Sequence, residues 1–145
     1  MRRLASAVAI IVAKGEGEPV GMAATSITSL TMDPPAVLVC INQSAGIHAC
    51  LAPGCPISVN LLSRDQRDVS AAFGGAAPRD KRFEVGDWTR DSHDLPMLEE
   101  AQANLSCTIE SITPFATHSI VIARVDAVRL SEQVDPLIYQ NGGYL

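Results

Sequence analysis

The sequence predicts a mainly β chain, folded as an antiparallel barrel with short flanking helices. Three observations carry this. Six segments rich in Val, Ile and Thr recur along the chain, most of them bounded by turn residues. Helical signals are confined to two short stretches and do not alternate with the strands, as a parallel doubly wound sheet would require. An antiparallel sheet of this many strands removes its exposed edges by closing into a barrel.

Taken in order, the strands are expected at 8–13, 20–25, 36–41, 57–62, 105–112 and 119–130. The first lies in an apolar run from Leu4 to Ala13, behind Arg2 and Arg3. That run is too short to span a bilayer. No small-residue cleavage site follows it; Lys14-Gly15-Glu16-Gly17-Glu18 does, and reads as a hairpin turn. The run is therefore expected to be a core strand, not a secretory leader, in a cytoplasmic protein with no membrane attachment. A helix is expected over 44–51, with Ser44 as N-cap and a stop at Pro53-Gly54. A second is expected over 63–73, opened by the capping box Ser63-Arg64-Asp65-Gln66 and ended by Gly74-Gly75. Residues 76–98 are polar and loop-like and hold the only tryptophan, Trp88. With no repeat and no linker, 1–145 is expected to be one domain.

Composition excludes some functions. A chain of 145 residues can bury a real core, and 47% hydrophobic residues is globular composition. The net charge of −5 argues against nucleic acid, whose phosphates require clustered Lys and Arg. The densest positive cluster is Arg79, Lys81 and Arg82. Four cysteines, Cys40, Cys50, Cys55 and Cys107, form no CxxC pair, so they are read as small buried hydrophobes in a reducing compartment, and no metal site is expected.

Catalytic motifs are scarce. Gly15-x-Gly17 lacks the third glycine and the following helix that a dinucleotide fingerprint needs. There is no GxSxG, no phosphate loop and no carboxylate pair at helical spacing. The informative stretch is Val20-Gly21-Met22-Ala23-Ala24-Thr25-Ser26-Ile27-Thr28-Ser29-Leu30-Thr31-Met32-Asp33-Pro34-Pro35. A strand leads into a run of small hydroxyl residues that bends towards the next strand. Such a bend offers amides and hydroxyls with little bulk, which suits a planar, polar-edged ring. On chemistry alone a plain Ser/Thr-rich loop is the alternative.

That segment resembles the signature of the flavin reductase family with the FMN-binding split barrel, the reductase components of two-component flavin monooxygenases. The resemblance continues through Cys40-Ile41-Asn42-Gln43-Ser44-Ala45, then Ile57-Ser58-Val59-Asn60-Leu61-Leu62-Ser63-Arg64-Asp65-Gln66 with Ser70 and Phe73. It runs on through Arg82-Phe83 with Trp88, His118-x-Ile120, and Pro136-Leu137-Ile138-Tyr139 with Gly142 and Tyr144. It covers nearly the whole chain in order. The chain departs from the family in Phe115-Ala116-Thr117 before His118, where Gly-Asp is usual, in Ile27 where an aromatic is common, and in a short segment before the first strand.

The resemblance implies a Greek-key split barrel that binds FMN or FAD and reduces it with NADH or NADPH. Thr25, Ser26, Ser29 and Leu30 would line the isoalloxazine edge. Asn42, Ser44 and Ala45 would approach the ribityl and phosphate, where a helix N-terminus at Ser44 favours an anion. Asn60, Leu61, Leu62 and Gln66 would continue the wall, with Ser70 and Phe73 behind. Lys81 or Arg82 would add charge at the phosphate or stay solvated, and Tyr139 and Tyr144 would stack on the ligand or pack the core. His118 would stand beside the nicotinamide. A homodimer is implied, with transient transfer of reduced flavin to a monooxygenase partner. Two alternatives stand beside this reading: a non-enzymatic flavin carrier, and a flavoprotein that uses bound FMN as a prosthetic group for another acceptor.

Overall fold

The computed structural model describes residues 1–145. One antiparallel sheet of seven strands dominates it. The strands are β2 (Ala9–Lys14), β3 (Pro19–Ala24), β4 (Ile27–Met32), β5 (Pro35–Asn42), β6 (Pro56–Leu61), β9 (Ala103–Phe115) and β10 (His118–Leu130), in the order β3-β2-β6-β9-β10-β5-β4. β3 and β4 lie at opposite ends of this order, yet only Thr25 and Ser26 separate them in the chain. The two residues therefore close the cylinder covalently, where no hydrogen-bonded ladder does. A bond from the Cys40 amide to the Ser26 carbonyl (3.0 Å) ties that closure to β5.

β2 explains the apolar run near the N-terminus. All of Ala9 to Ala13 is buried, because β2 has core on both faces. Ile11 faces the barrel interior with Val39, Ile41, Val59, Ile109 and Val121. Ile10 and Val12 face outward into a second cluster with Leu62, Val69, Phe73, Leu98 and Leu137. That outer cluster is covered by helix α1 (Arg67–Ala71) and by a small sheet of β1 (Ser6–Ala7), β11 (Ile138–Gln140) and β12 (Gly143–Tyr144). β7 (Trp88–Arg90) and β8 (Pro96–Leu98) form a separate pair. No helix is long and apolar enough to cross a membrane.

Several local expectations are corrected. Of the hydroxyl run after Ala24, only Thr25 and Ser26 form a bend: the rest is edge strand β4, paired with β5 from Ile27 to Met32. Its residues lie exposed on both faces beyond Ile27, so it carries no apolar alternation to mark it as a strand. No helix spans 44–51. The Asn42 carboxamide Oδ1 accepts from the Ser44 amide (2.9 Å) and hydroxyl (2.8 Å), which forms an Asx turn. Only His48–Cys50 then forms a single 3-10 turn. The anion site expected at a Ser44 helix terminus is thus absent as a helical feature.

The second helix is shorter than expected. Gln66 Oε1 does accept from the Ser63 amide (3.0 Å), which is half of the capping box. The Ser63 hydroxyl instead donates to the Glu100 carbonyl (2.7 Å). The α-helix starts at Arg67 and widens into a π turn over Ala72–Ala76, released by Gly75 at φ 116°. Residues 76–98 are also more ordered than their polarity suggests, with a 3-10 segment at Arg79–Glu84 followed by β7 and β8. All four cysteines are free thiols; burial pushes the Cys107 thiol up to about 12.

Asn60 anchors the core's polar interior. It is fully buried on β6. Its Nδ2 donates to the Ile10 carbonyl (3.2 Å), and its Oδ1 accepts from the Leu98 amide (2.9 Å) and Asn104 Nδ2 (2.8 Å). Removing this amide leaves the buried Leu98 amide without its acceptor and costs Asn104 one of its hydrogen bonds. Asn60→Ala is therefore expected to lower unfolding free energy by about 2–4 kcal/mol, read by urea titration. A loss below about 0.5 kcal/mol would mean these bonds contribute no net stability.

Candidate functional site

The site begins with the unpaired side of β3. As an end strand, β3 has β2 on one side only, and the segment 66–84 packs opposite the free side. Gly21 makes that approach possible. A Cβ there would lie 2.6 Å from the Phe73 ring and 3.2 Å from the Phe83 ring. Phe73, Phe83 and Trp88 form a mutual cluster with centroids 5.0–5.4 Å apart, and Trp88 Nε1 donates to the Val85 carbonyl (3.0 Å). This wedge holds the segment against β3 at one place and leaves space on either side of it.

One space, about 360 Å³, is lined by Val8, Ala23, Ala24, Thr25, Ser70, Ala71, Gly74, Ala76, Tyr139 and Tyr144. Its walls are mostly small side chains and main chain. Two aromatic rings stand at one side, edge to face at 5.5 Å. The Ser70 and Tyr144 hydroxyls bond at 2.8 Å, and Arg67 lies over the Tyr144 ring at 5.8 Å, which fixes that tyrosine. The second space, about 310 Å³, meets the first at Ala23 and Gly74 and runs past Phe73 to Ser44, Ala45, Gly46, Arg79 and Arg82. Together they make a groove with a flat, apolar, small-residue end and a polar, cationic end. Each part is of the size that holds a small ligand.

The two arginines differ. Arg82 is anchored: Nη1 donates to the Gly21 carbonyl (2.9 Å) and Nε to the Ala77 carbonyl (3.4 Å). Its charge is thus fixed at the neck of the groove. Arg79 makes neither a hydrogen bond nor an ion pair.

The structure brings together some of the residues singled out from sequence. Thr25, Ser70 and Tyr139 line the first space, and Ser44, Ala45, Phe73 and Arg82 the second. Asn42 sits behind Ser44 and shapes its turn. Ser26 borders an adjoining cleft beside Tyr139, and its hydroxyl donates to the Cys40 carbonyl (2.7 Å).

Others are not brought to the groove. Ser29 and Leu30 lie exposed on edge strand β4. Asn60 and Leu62 are fully buried in the core, and Leu61 packs against the barrel interior. The Gln66 carboxamide is held by main chain at both ends, accepting from Ser63 and donating to the Glu99 carbonyl (2.9 Å). These four share a strand and its exit, so they look contiguous in sequence. Alternate side chains of that strand enter two different cores.

His118 opens β10 and is exposed there. Its Nδ1 lies 2.8 Å from the Thr117 hydroxyl, and its strand partner is Asn42. It lies outside the groove lining but shares a hydrogen-bonded row with the turn that carries Ser44. Sequence reading did not place Ala23, Ala24, Ala71, Gly74 or Ala76 at the site, and Arg79 entered it only as a member of the Arg79, Lys81 and Arg82 cluster. The small residues carry no chemistry of their own. Their only signal is that several occur beside Thr25 and Phe73.

The chain is 35% identical over 146 residues to the reductase component of an FADH(2)-dependent resorcinol hydroxylase from Rhizobium sp. (strain MTP-10005), covering 99% of this chain and 82% of that protein. It is 33% identical to the FMN reductase (NADH) RutF of Variovorax paradoxus, covering 99% and 80%. Among solved structures it is similar to BorF, the flavin reductase component of a bacterial two-component tryptophan halogenase. There the TM-score is 0.90 at 28% identity over 99% of this chain and 91% of that one. It is also similar to the Streptomyces globisporus NADH:FAD oxidoreductase SgcE6 in complex with NAD and FAD fragments, with TM-score 0.90, 25% identity, and 99% and 86% covered. The flavin reductase like domain model matches residues 1–145, and the chain belongs to that family.

Proposed function

We propose that this protein is an NAD(P)H-dependent flavin reductase that holds FMN or FAD in the groove along β3. The observation that carries the reading is the polarity of that groove: flat and small-walled at one end, hydroxylated and cationic at the other. A tricyclic ring on a phosphorylated tail has the same polarity. Relatives named as an FMN reductase (NADH) and as a hydroxylase reductase component support it.

The residues present fit such a group. Main chain and small side chains at Ala23, Ala24, Ala71 and Gly74 admit a ring face, and Thr25 supplies amide and hydroxyl at its edge. Tyr139 and Tyr144 exclude water from one side. Ser44, Ala45 and Arg82 face the tail. A bound flavin would supply the redox chemistry, as acceptor of a hydride from the nicotinamide. The protein's work is to bind, orient and desolvate, so no side-chain nucleophile is required.

His118 is the residue proposed to meet the nicotinamide. The Thr117 hydroxyl engages Nδ1, which leaves Nε2 to hydrogen-bond a nicotinamide carboxamide. A homodimer is proposed as well, supported by the exposed apolar side chains of Leu30 and Met32 on edge strand β4. Reduced flavin would pass to a partner monooxygenase, as the relatives' names suggest.

Titration with FMN or FAD is expected to give saturable binding, and anaerobic NADH or NADPH to bleach the flavin's visible absorbance. Binding without bleaching would leave a flavin carrier and remove the reductase. A prosthetic role would show as turnover of another acceptor with no saturation curve for added flavin.

His118→Ala is expected to slow the stopped-flow hydride-transfer rate about tenfold, with the flavin Kd changed less than about twofold, since one orienting hydrogen bond is lost. Equal losses in both would assign His118 to the fold.

A further inference from the structure

Arg79 is a cation that forms no ion pair at the wall of the groove. Glu16, Glu18 and Asp80 line the adjoining cavity with it, and Arg79 pairs with none of them. Its guanidinium instead lies against Gly46, so closely that a Cβ built on Gly46 would overlap it. Gly46 has no positive φ and closes no glycine-only turn. What its missing side chain provides here is room for a guanidinium beside Ser44 and Ala45.

Two arginines thus face one end of one groove. Arg82 is held by two carbonyls, and Arg79 is free to donate. An anchored and a free guanidinium around a hydroxylated turn match a phosphate, which takes several charge-assisted donors at once. We infer that Arg79, seated on Gly46, is a second phosphate-binding residue, and that this seat makes the site select phosphorylated flavins over riboflavin. The inference rests on the proposed flavin reductase reading and adds the residues that recognise the tail.

The shared chemistry is a phosphate on the ribityl chain, carried by both FMN and FAD. A monoester would present its terminal phosphate at the seat, whereas in a dinucleotide the same phosphate carries an adenylate onward. Both ligands therefore belong in the test.

The experiment is fluorescence titration of the full chain with FMN, FAD and riboflavin, using wild type, Arg79→Gln, Gly46→Ala and the double variant. Arg79→Gln removes the charge. Gly46→Ala displaces the guanidinium, and it does so cheaply, because the obstructing atoms are the far end of a flexible side chain. Each single variant is expected to raise the Kd for FMN about fivefold to tenfold, with riboflavin changed less than about twofold. FAD should be weakened in the same direction. The double variant should be no worse than Arg79→Gln, since both act through one guanidinium. The salt dependence of FMN binding should also flatten in Arg79→Gln.

Equal weakening of FMN and riboflavin would overturn the inference, as would no weakening of either or additive losses in the double variant. A rise confined to the KM for NADPH would overturn it too, by assigning Arg79 to the nicotinamide. Should Gly46→Ala melt early, Arg79→Gln decides alone. If wild type binds none of the three flavins, the reductase reading itself fails, which is a different result from any of these.

Discussion

The structure depends on an incomplete ladder. A cylinder of seven antiparallel strands has its first and last strands joined by two residues of chain, and at that seam hydrogen bonds give way to a covalent turn. The free side of β3 then has main-chain groups that no strand satisfies, which is a cost in any sheet. Part of it is met by side chains, as when Arg82 donates to the Gly21 carbonyl. The rest of that edge is covered by the segment 66–84, which cannot lie as close as a strand. The groove is the difference between a strand's spacing and a helix's. Gly21 and the Phe73–Phe83–Trp88 cluster set its width, because they are where the cover touches the edge.

Most of the strand core was legible in the sequence. Residues 8–13, 36–41 and 57–62 are apolar or alternating and bounded by turn residues, and each falls within a strand or one residue beyond it. What could not be read was structure supported by the main chain alone. β4 is exposed on both faces because it is an edge, so its Thr and Ser residues look like a loop. The turn after Asn42 mimics a helix start, since Asn, Ser and a following apolar run serve an Asx turn as well as an N-cap. The capping box at Ser63 formed only in part because Glu100, far away in sequence, offered a carbonyl to the same hydroxyl.

The site was legible to the extent that its residues carry functional groups. Thr25, Ser44, Ser70, Arg82 and Tyr139 could be named because they are polar or aromatic, and all five line the groove. Asn60 and Gln66 were named for the same reason, yet their amides satisfy buried main chain, a role that polar residues fill at least as often. Alanines and glycines define the groove by what they omit, and an omission has no sequence signature. The Gly46–Arg79 contact is of this kind. Neither residue signals the other across the thirty-odd positions between them, and only the fold brings them together.

The turn that carries Ser44 is stitched to the start of β10 from several directions. Asn42 pairs with His118 in the sheet. The Gln43 amide donates to the Thr117 carbonyl (2.9 Å), and its side-chain Nε2 to the His118 carbonyl (2.7 Å). His48 Nε2 and the Ser119 hydroxyl lie 2.9 Å apart. Each is modest alone, yet together they leave the turn and the histidine little freedom to move separately. A group that contacts the groove's polar end and a group that contacts His118 would therefore sense the same rigid unit. That geometry suits a reaction needing two bound molecules held in fixed register, where orientation and not side-chain chemistry supplies the rate. It also explains why a chain with few residues of catalytic type can still be an enzyme. The required precision lies in main-chain pairing, which a Val- and Ile-rich β sequence provides without any recognisable motif.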